Sequence, residues 1–190
     1  HDTTFARNGQ LLVDTWSDPA NPPQVSIRKP DGAILTWLEK NEVNAAHPYY
    51  RYKSDHLPVE YGTLPAKDGQ TLYWSMIKPY RFDPAKKYPV YLSTYGGPTA
   101  QHVTRKWGDP FDMFMAQQGY VVFRLDNRGS GRRERVFSDA IYRNLGKVEV
   151  EDQLAGIDFL GKQGFVDAKR IGVYGWSYGG FMALRLLSQG

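Results

Sequence analysis

Ile171-Gly172-Val173-Tyr174-Gly175-Trp176-Ser177-Tyr178-Gly179-Gly180, running on into Phe181-Met182-Ala183-Leu184-Arg185-Leu186-Leu187, reads as an apolar strand, a G-x-S-x-G turn and a helix. That order decides the fold class. A serine on a tight strand-to-helix turn sits in strained backbone, and the glycines beside it leave room for neighbouring elements. Ser177 is therefore the candidate nucleophile. The amide of Tyr178, at the helix start, is placed to donate to a developing oxyanion.

Working back from this turn, the elements alternate. Glu149 to Lys162 has Val150, Leu154, Ile157, Phe159 and Leu160 near helical spacing, with Glu149, Glu151 and Asp152 in a first turn that the helix dipole favours. Gly164 and Asp167 then break the chain, and a strand starts at Arg170. Tyr88 to Tyr95 and Tyr120 to Leu125 are apolar enough for buried strands, and Phe111 to Gln118 between them suits a helix closed by Gly119. Pro58 to Ala66 and Thr71 to Lys78 flank Asp68-Gly69, a hairpin turn signal. Residues 58–190 thus read as α/β, a mainly parallel sheet with helices on its faces.

The first forty residues differ. Leu11 to Trp16, Gln24 to Arg28 and Ala33 to Leu38 are short strand-like runs separated by Asp18 to Pro23 and by Pro30-Asp31-Gly32. Three small antiparallel strands bury too little surface to stand alone, so residues 1–45 are expected to belong to a larger sheet, such as a propeller blade. Residues 46–57, with His47-Pro48 and Tyr49, Tyr50 and Tyr52, read as a linker.

The composition narrows the chemistry. The chain has 190 residues, no cysteine and a net charge of +4. Disulfides, thiolate metal sites and cysteine nucleophiles are excluded. No run of eighteen apolar residues exists, so no membrane span is expected. Arg128, Arg132, Arg133 and Arg135 cluster in one loop, which is read as solvated or internally paired and not as a nucleic-acid surface. Neither a cofactor nor a metal is expected. The compartment is left open between a bacterial periplasm and the cytoplasm.

A second oxyanion donor is expected after the strand ending near Tyr95. There the chain reads Tyr95-Gly96-Gly97-Pro98, two glycines for close backbone approach and a phenol that can donate. Together with Gln118-Gly119-Tyr120-Val121-Val122-Phe123 leading to Asp126-Asn127-Arg128-Gly129, with Gly146-Lys147-Val148-Glu149-Val150-Glu151-Asp152-Gln153, and with the serine turn, this series resembles the dipeptidyl peptidase IV branch of the prolyl oligopeptidase family. The resemblance implies a partial α/β-hydrolase fold preceded by the tail of a β-propeller. It also implies a serine exopeptidase that releases amino-terminal dipeptides, often after Pro or Ala. By the same resemblance Ser177 is the nucleophile, the Tyr178 amide one oxyanion donor and the Tyr95 hydroxyl the other, while Arg128 and the segment from Glu149 to Gln153 carry no catalytic role.

The expected partners are a peptide substrate and the remainder of the same polypeptide, and a homodimer is compatible with both. Thirteen residues follow Ser177, and none is Asp, Glu or His. His1, His47, His56 and His102 all precede it, whereas the triad order of this fold is Ser, then acid, then His. The 190 residues alone are expected to be nearly inactive, with the strand before Ser177 on an open edge. Two alternatives remain: a tripeptidyl or acylaminoacyl peptidase or esterase of the same fold, and a non-catalytic propeller/hydrolase-like binding protein. His102, near the Tyr95 loop, is expected at the surface.

Overall fold

The computed structural model describes residues 1–189, which divide into two compact units, His1–Pro58 with Arg105–Asp109 and Val59–Thr104 with the residues from Pro110 onward. The first unit is a four-stranded antiparallel meander: β1 (Asp2–Phe5), β2 (Leu12–Trp16), β3 (Gln24–Arg28) and β4 (Ile34–Glu39), in that spatial order. Its turns follow the local chemistry. Gly9 (φ 67°) and Gly32 (φ 89°) take the left-handed backbone that closes two hairpins, and the Asp18 carboxylate accepts from the amides of Ala20 and Asn21 in the third connection.

Asp14 on β2 is buried and paired with Arg28 Nε at 3.0 Å. Phe5, Ile34, Leu35 and Leu38 remain exposed. Beyond β4 the chain forms a 3-10 turn at Tyr50–Asp55, and His56 stacks on Trp107 at 4.3 Å. The sequence reading finds three strands here. The fourth, β1, is only four residues long and is flagged solely by Asn8-Gly9.

The second unit is a five-stranded sheet of β5 (Val59–Pro65), β6 (Thr71–Ile77), β7 (Tyr88–Ser93), β8 (Val121–Asp126) and β9 (Val166–Tyr174), in the order β5-β6-β8-β7-β9. The β5–β6 and β6–β8 pairs are antiparallel; β7–β8 and β7–β9 are parallel. Helices α1 (Pro110–Gln117), α3 (Val148–Gly161) and α4 (Tyr178–Gln189) connect or follow the strands, and a short α2 (Arg135–Ser138) lies between β8 and α3. This is a partial α/β-hydrolase sheet preceded by antiparallel strands.

Side-chain alternation along β8 shows how the sheet is sandwiched. Phe123 and Leu125 face α3, where a Cβ at Gly156 would lie 3.0 Å from Leu125 and 3.4 Å from Phe123. Arg124 points the other way and pairs with Asp112 of α1 at 2.7 Å. Helices α1 and α3 therefore cover opposite faces. Leu72, Val90, Leu92, Val121, Phe123 and Leu160 are fully buried in one cluster where the sheet meets α3, each worth roughly 1.5–3 kcal/mol of apolar burial. A second cluster of Val150, Met182 and Leu186 joins α3 to α4.

β9 starts at Val166, earlier than the sequence suggests. The register jumps from Tyr88 opposite Val166 to Val90 opposite Ile171, so a bulge absorbs the break that Gly164 and Asp167 signal. Among the described residues β9 pairs on one side only, with Ile171 and Val173 half-buried at that edge.

Candidate active site

Ser177 lies between the end of β9 and the start of α4 with φ 55°, a left-handed backbone that a serine adopts only where its surroundings impose it. The surroundings are tight. The Thr94 amide donates to Tyr174 O at 2.9 Å, which continues the β7–β9 ladder up to the turn. A Cβ on Gly179 would meet Thr94 O at 2.3 Å, and one on Gly175 would meet Gly179 O at 2.2 Å. Backbone thus packs directly on backbone, and the serine is pushed to the crest. The turn is closed by Gly179 N to Trp176 O (2.8 Å) and Gly180 N to Ser177 O (2.9 Å).

The strand that supports the turn also delivers Tyr95. Its ring lies 6.2 Å from that of Tyr178, and a Cβ at Gly97 would fall 2.6 Å from Tyr95 Cε1 and 3.0 Å from Tyr178 Cγ. Only glycine lets the two tyrosines close on the same backbone segment. The Tyr95-Gly96-Gly97 loop is held from below, because Asn127 Nδ2 donates to Gly96 O at 3.1 Å and Gln153 Nε2 donates to Asn127 Oδ1 at 3.0 Å. Asn127 and Gln153 are fully buried. Ser177, Tyr178 and Tyr95, selected from the sequence, are brought to one locality.

The histidines divide differently from the sequence reading. His1, His47 and His56 belong to the first unit and are engaged there, His1 with Asp14, His47 with Asn41, and His56 with Tyr49 and Pro19 O. His102 is half-buried, with its Nδ1 shielded from solvent, and its ring stacks on Tyr95, 5.8 Å between centroids and 24° between planes. Burial, with Arg124 nearby, holds its pKa below the ordinary value, so it is neutral at neutral pH. Its local sequence is polar, and the contact that buries it is tertiary.

Two of the acidic residues in the first turn of α3, Glu149 and Asp152, are buried. Asp152 grips Arg128, whose Nη2 donates at 2.7 Å and whose amide donates at 2.8 Å. Glu149 accepts from the Tyr178 hydroxyl at 2.5 Å. The arginine cluster is dispersed: Arg128 is buried with Asp152 and Asp68, Arg133 lies over Tyr73 and Phe137, and Arg135 pairs with Asp139. Among the described residues no group of three or more His, Asp or Glu could hold a metal ion, and no helix is long and apolar enough to cross a membrane.

Asp126, at the end of β8, anchors the segment that follows the Tyr95 loop. Its Oδ1 accepts from the amides of His102 (2.7 Å) and Val103 (3.1 Å). Burial nonetheless pushes its carboxyl up to about 6, against those two amides and against Arg133 and Arg124. The folded value lies above that of a free aspartate, about 3.9. The group's contribution to stability is therefore complete below about pH 4 and is lost as pH rises through about 6. Asp126→Asn keeps one oxygen for both amides and discards the charge. At pH 7.5 its unfolding free energy from urea titration is expected to equal or exceed the parent's, by up to about 3 kcal/mol, and the difference should vanish near pH 4. A lower unfolding free energy at pH 7.5 would show that the carboxylate charge is needed.

A family model described as the prolyl oligopeptidase family matches residues 95–190, just over half of the chain. Over the whole chain the sequence is 33% identical to mouse and 39% identical to human "Dipeptidyl peptidase 8", and it spans 22% of the length of each. The structure of Porphyromonas gingivalis dipeptidyl peptidase 4 superposes with a TM-score of 0.88 at 34% identity, covering 100% of this chain and 27% of that one. The chain thus spans about a fifth of the length of the curated relatives it matches.

Proposed function

The chain belongs to the prolyl oligopeptidase family of serine peptidases, and from that premise we propose that it carries the nucleophile and oxyanion hole of an exopeptidase that releases amino-terminal dipeptides. In this reading residues 1–45 close a propeller, 46–57 link, and 58–190 open the catalytic domain. The observation that carries it is Ser177 at φ 55° on a glycine-packed turn, followed directly by Tyr178, whose ring lies 6.2 Å from that of Tyr95 across Gly97.

Ser177 Oγ attacks the scissile carbonyl and gives its proton to a histidine base from outside these residues. The carbonyl oxygen becomes an oxyanion that accepts from the Tyr178 N–H and the Tyr95 O–H. Collapse returns the C=O, and the departing amine takes the proton from the base. An acyl-enzyme on Ser177 is left for water to cleave by the reverse proton path. No metal or cofactor enters these steps.

A panel of Xaa-Pro, tripeptidyl and acetyl-alanyl chromogenic substrates tests the assignment in the intact polypeptide. Preference for Xaa-Pro is expected; preference for either of the others would move the specificity within the family. Fluorophosphonate labelling of Ser177 distinguishes all of these from a non-catalytic binding protein, which should not react. Tyr95→Phe removes one oxyanion donor that matters only once charge develops. It should lower kcat about 10²-fold with little change in KM. An unchanged kcat would remove Tyr95 from the mechanism.

A further inference from the structure

We infer that Glu149 is a positioning residue for this site, a latch that fixes the residue after the nucleophile from the far end of its side chain; the inference rests on the proposed function above. Glu149 is fully buried, and its donors are two backbone amides and a phenol. Its Oε1 accepts from the Gly146 amide (2.5 Å) and the Tyr178 hydroxyl (2.5 Å), and its Oε2 accepts from the Lys147 amide (3.2 Å). A buried carboxylate is costly unless its lone pairs are satisfied, and three convergent donors do that. Two come from the loop that enters α3. The third reaches across from α4, 29 residues away in sequence.

Tyr178 is thereby held at both ends. At the Cβ and Cγ end it packs on Gly97, where nothing larger than hydrogen fits. At the hydroxyl end it donates to Glu149, and burial together with that carboxylate raises the phenol's pKa, so it stays a donor at every working pH. A side chain pinned in this way leaves its own backbone little freedom to rotate. The amide of residue 178 is the proposed oxyanion donor, and such a donor acts only when aimed at the oxyanion's position.

The loop that carries Glu149 is itself docked on α4. Arg185 Nη2 donates to Gly146 O at 2.9 Å, and a Cβ at Gly146 would lie 3.0 Å from Phe181 Cζ. The loop, the carboxylate and the first two turns of α4 form one unit. Glu149 is the member that touches the residue next to the nucleophile.

The test is a cycle of Glu149→Gln, Tyr178→Phe and the double variant in the intact protein, with melting temperature followed throughout. Each single variant should lower kcat about 30-fold with KM within about twofold, and the double variant should be no more than about threefold worse than either, because both break the same link. Hydrogen exchange across residues 175–182 should accelerate about tenfold in all three. Losses that multiply to about 10³ in the double variant, with exchange unchanged, would overturn the latch. If the parent protein cleaves no peptide and takes no fluorophosphonate, the proposed function falls, while the exchange data still decide whether Glu149 holds the turn. Should Glu149→Gln not fold, Tyr178→Phe, which removes one oxygen and keeps the ring, settles the matter by the same exchange and kcat criteria.

Discussion

Ser177→Ala in the intact polypeptide should lower turnover of an Xaa-Pro chromogenic substrate by roughly 10⁶-fold, the scale expected when the nucleophile of a serine hydrolase is removed. The oxyanion donors remain, so a small residual rate above water is expected. The backbone adds a second, independent reading of the same position. At φ 55° Ser177 is in the left-handed region, which costs a non-glycine residue about 1 kcal/mol or more. Ser177→Gly should relieve that cost, raising stability by about 1 kcal/mol while abolishing turnover. A gain in melting temperature with loss of activity is what a crest held for chemistry predicts. A variant that keeps turnover within tenfold of the parent would remove Ser177 from the mechanism. A glycine variant less stable than the parent would instead show that the hydroxyl serves packing.

Much of this locality was legible in the residues themselves, for a physical reason. A strand, a G-x-S-x-G turn and a helix form a local signal, in which the glycines are dictated by backbone contacts such as Gly179 on Thr94 O. Tyr95-Gly96-Gly97 was legible on similar grounds. What escaped was long-range. Glu149 reads as an ordinary acidic residue in a first helical turn, because the Tyr178 hydroxyl that claims it lies far along the chain. His102 sits in a polar stretch and is covered only when Tyr95 stacks on it. The start of β9 was hidden by Gly164 and Asp167, turn residues that a bulge accommodates. β1 was too short to show a pattern.

Asp152→Ala is expected to produce the largest loss of stability, about 3–5 kcal/mol, because it leaves a buried guanidinium with little compensation. Arg128 is 6% exposed and Asp152 1%. The carboxylate accepts from Arg128 Nε at 3.0 and 3.1 Å, from Nη2 at 2.7 Å and from the Arg128 amide at 2.8 Å. This arrangement holds the guanidinium firmly in its charged form. A second partner, Asp68, bonds Nη1 at 2.8 Å, but its side chain is 43% exposed. Asp68→Asn should therefore cost less than about 1 kcal/mol. The unfolding midpoint of Asp152→Ala should fall by about 10 °C, while that of Asp68→Asn barely moves. Replacing the buried pair together, Arg128→Met with Asp152→Leu, should recover most of the loss, since apolar groups of similar volume need no partner. Equal midpoints for Asp152→Ala and Asp68→Asn would mean that the pair is solvated and not buried. The consequence reaches the site through Asn127, the residue before Arg128, whose side chain holds Gly96 O. Once Arg128 loses its anchor, the Tyr95 loop loses its floor, and kcat should fall further than the lost stability alone explains at temperatures well below the midpoint.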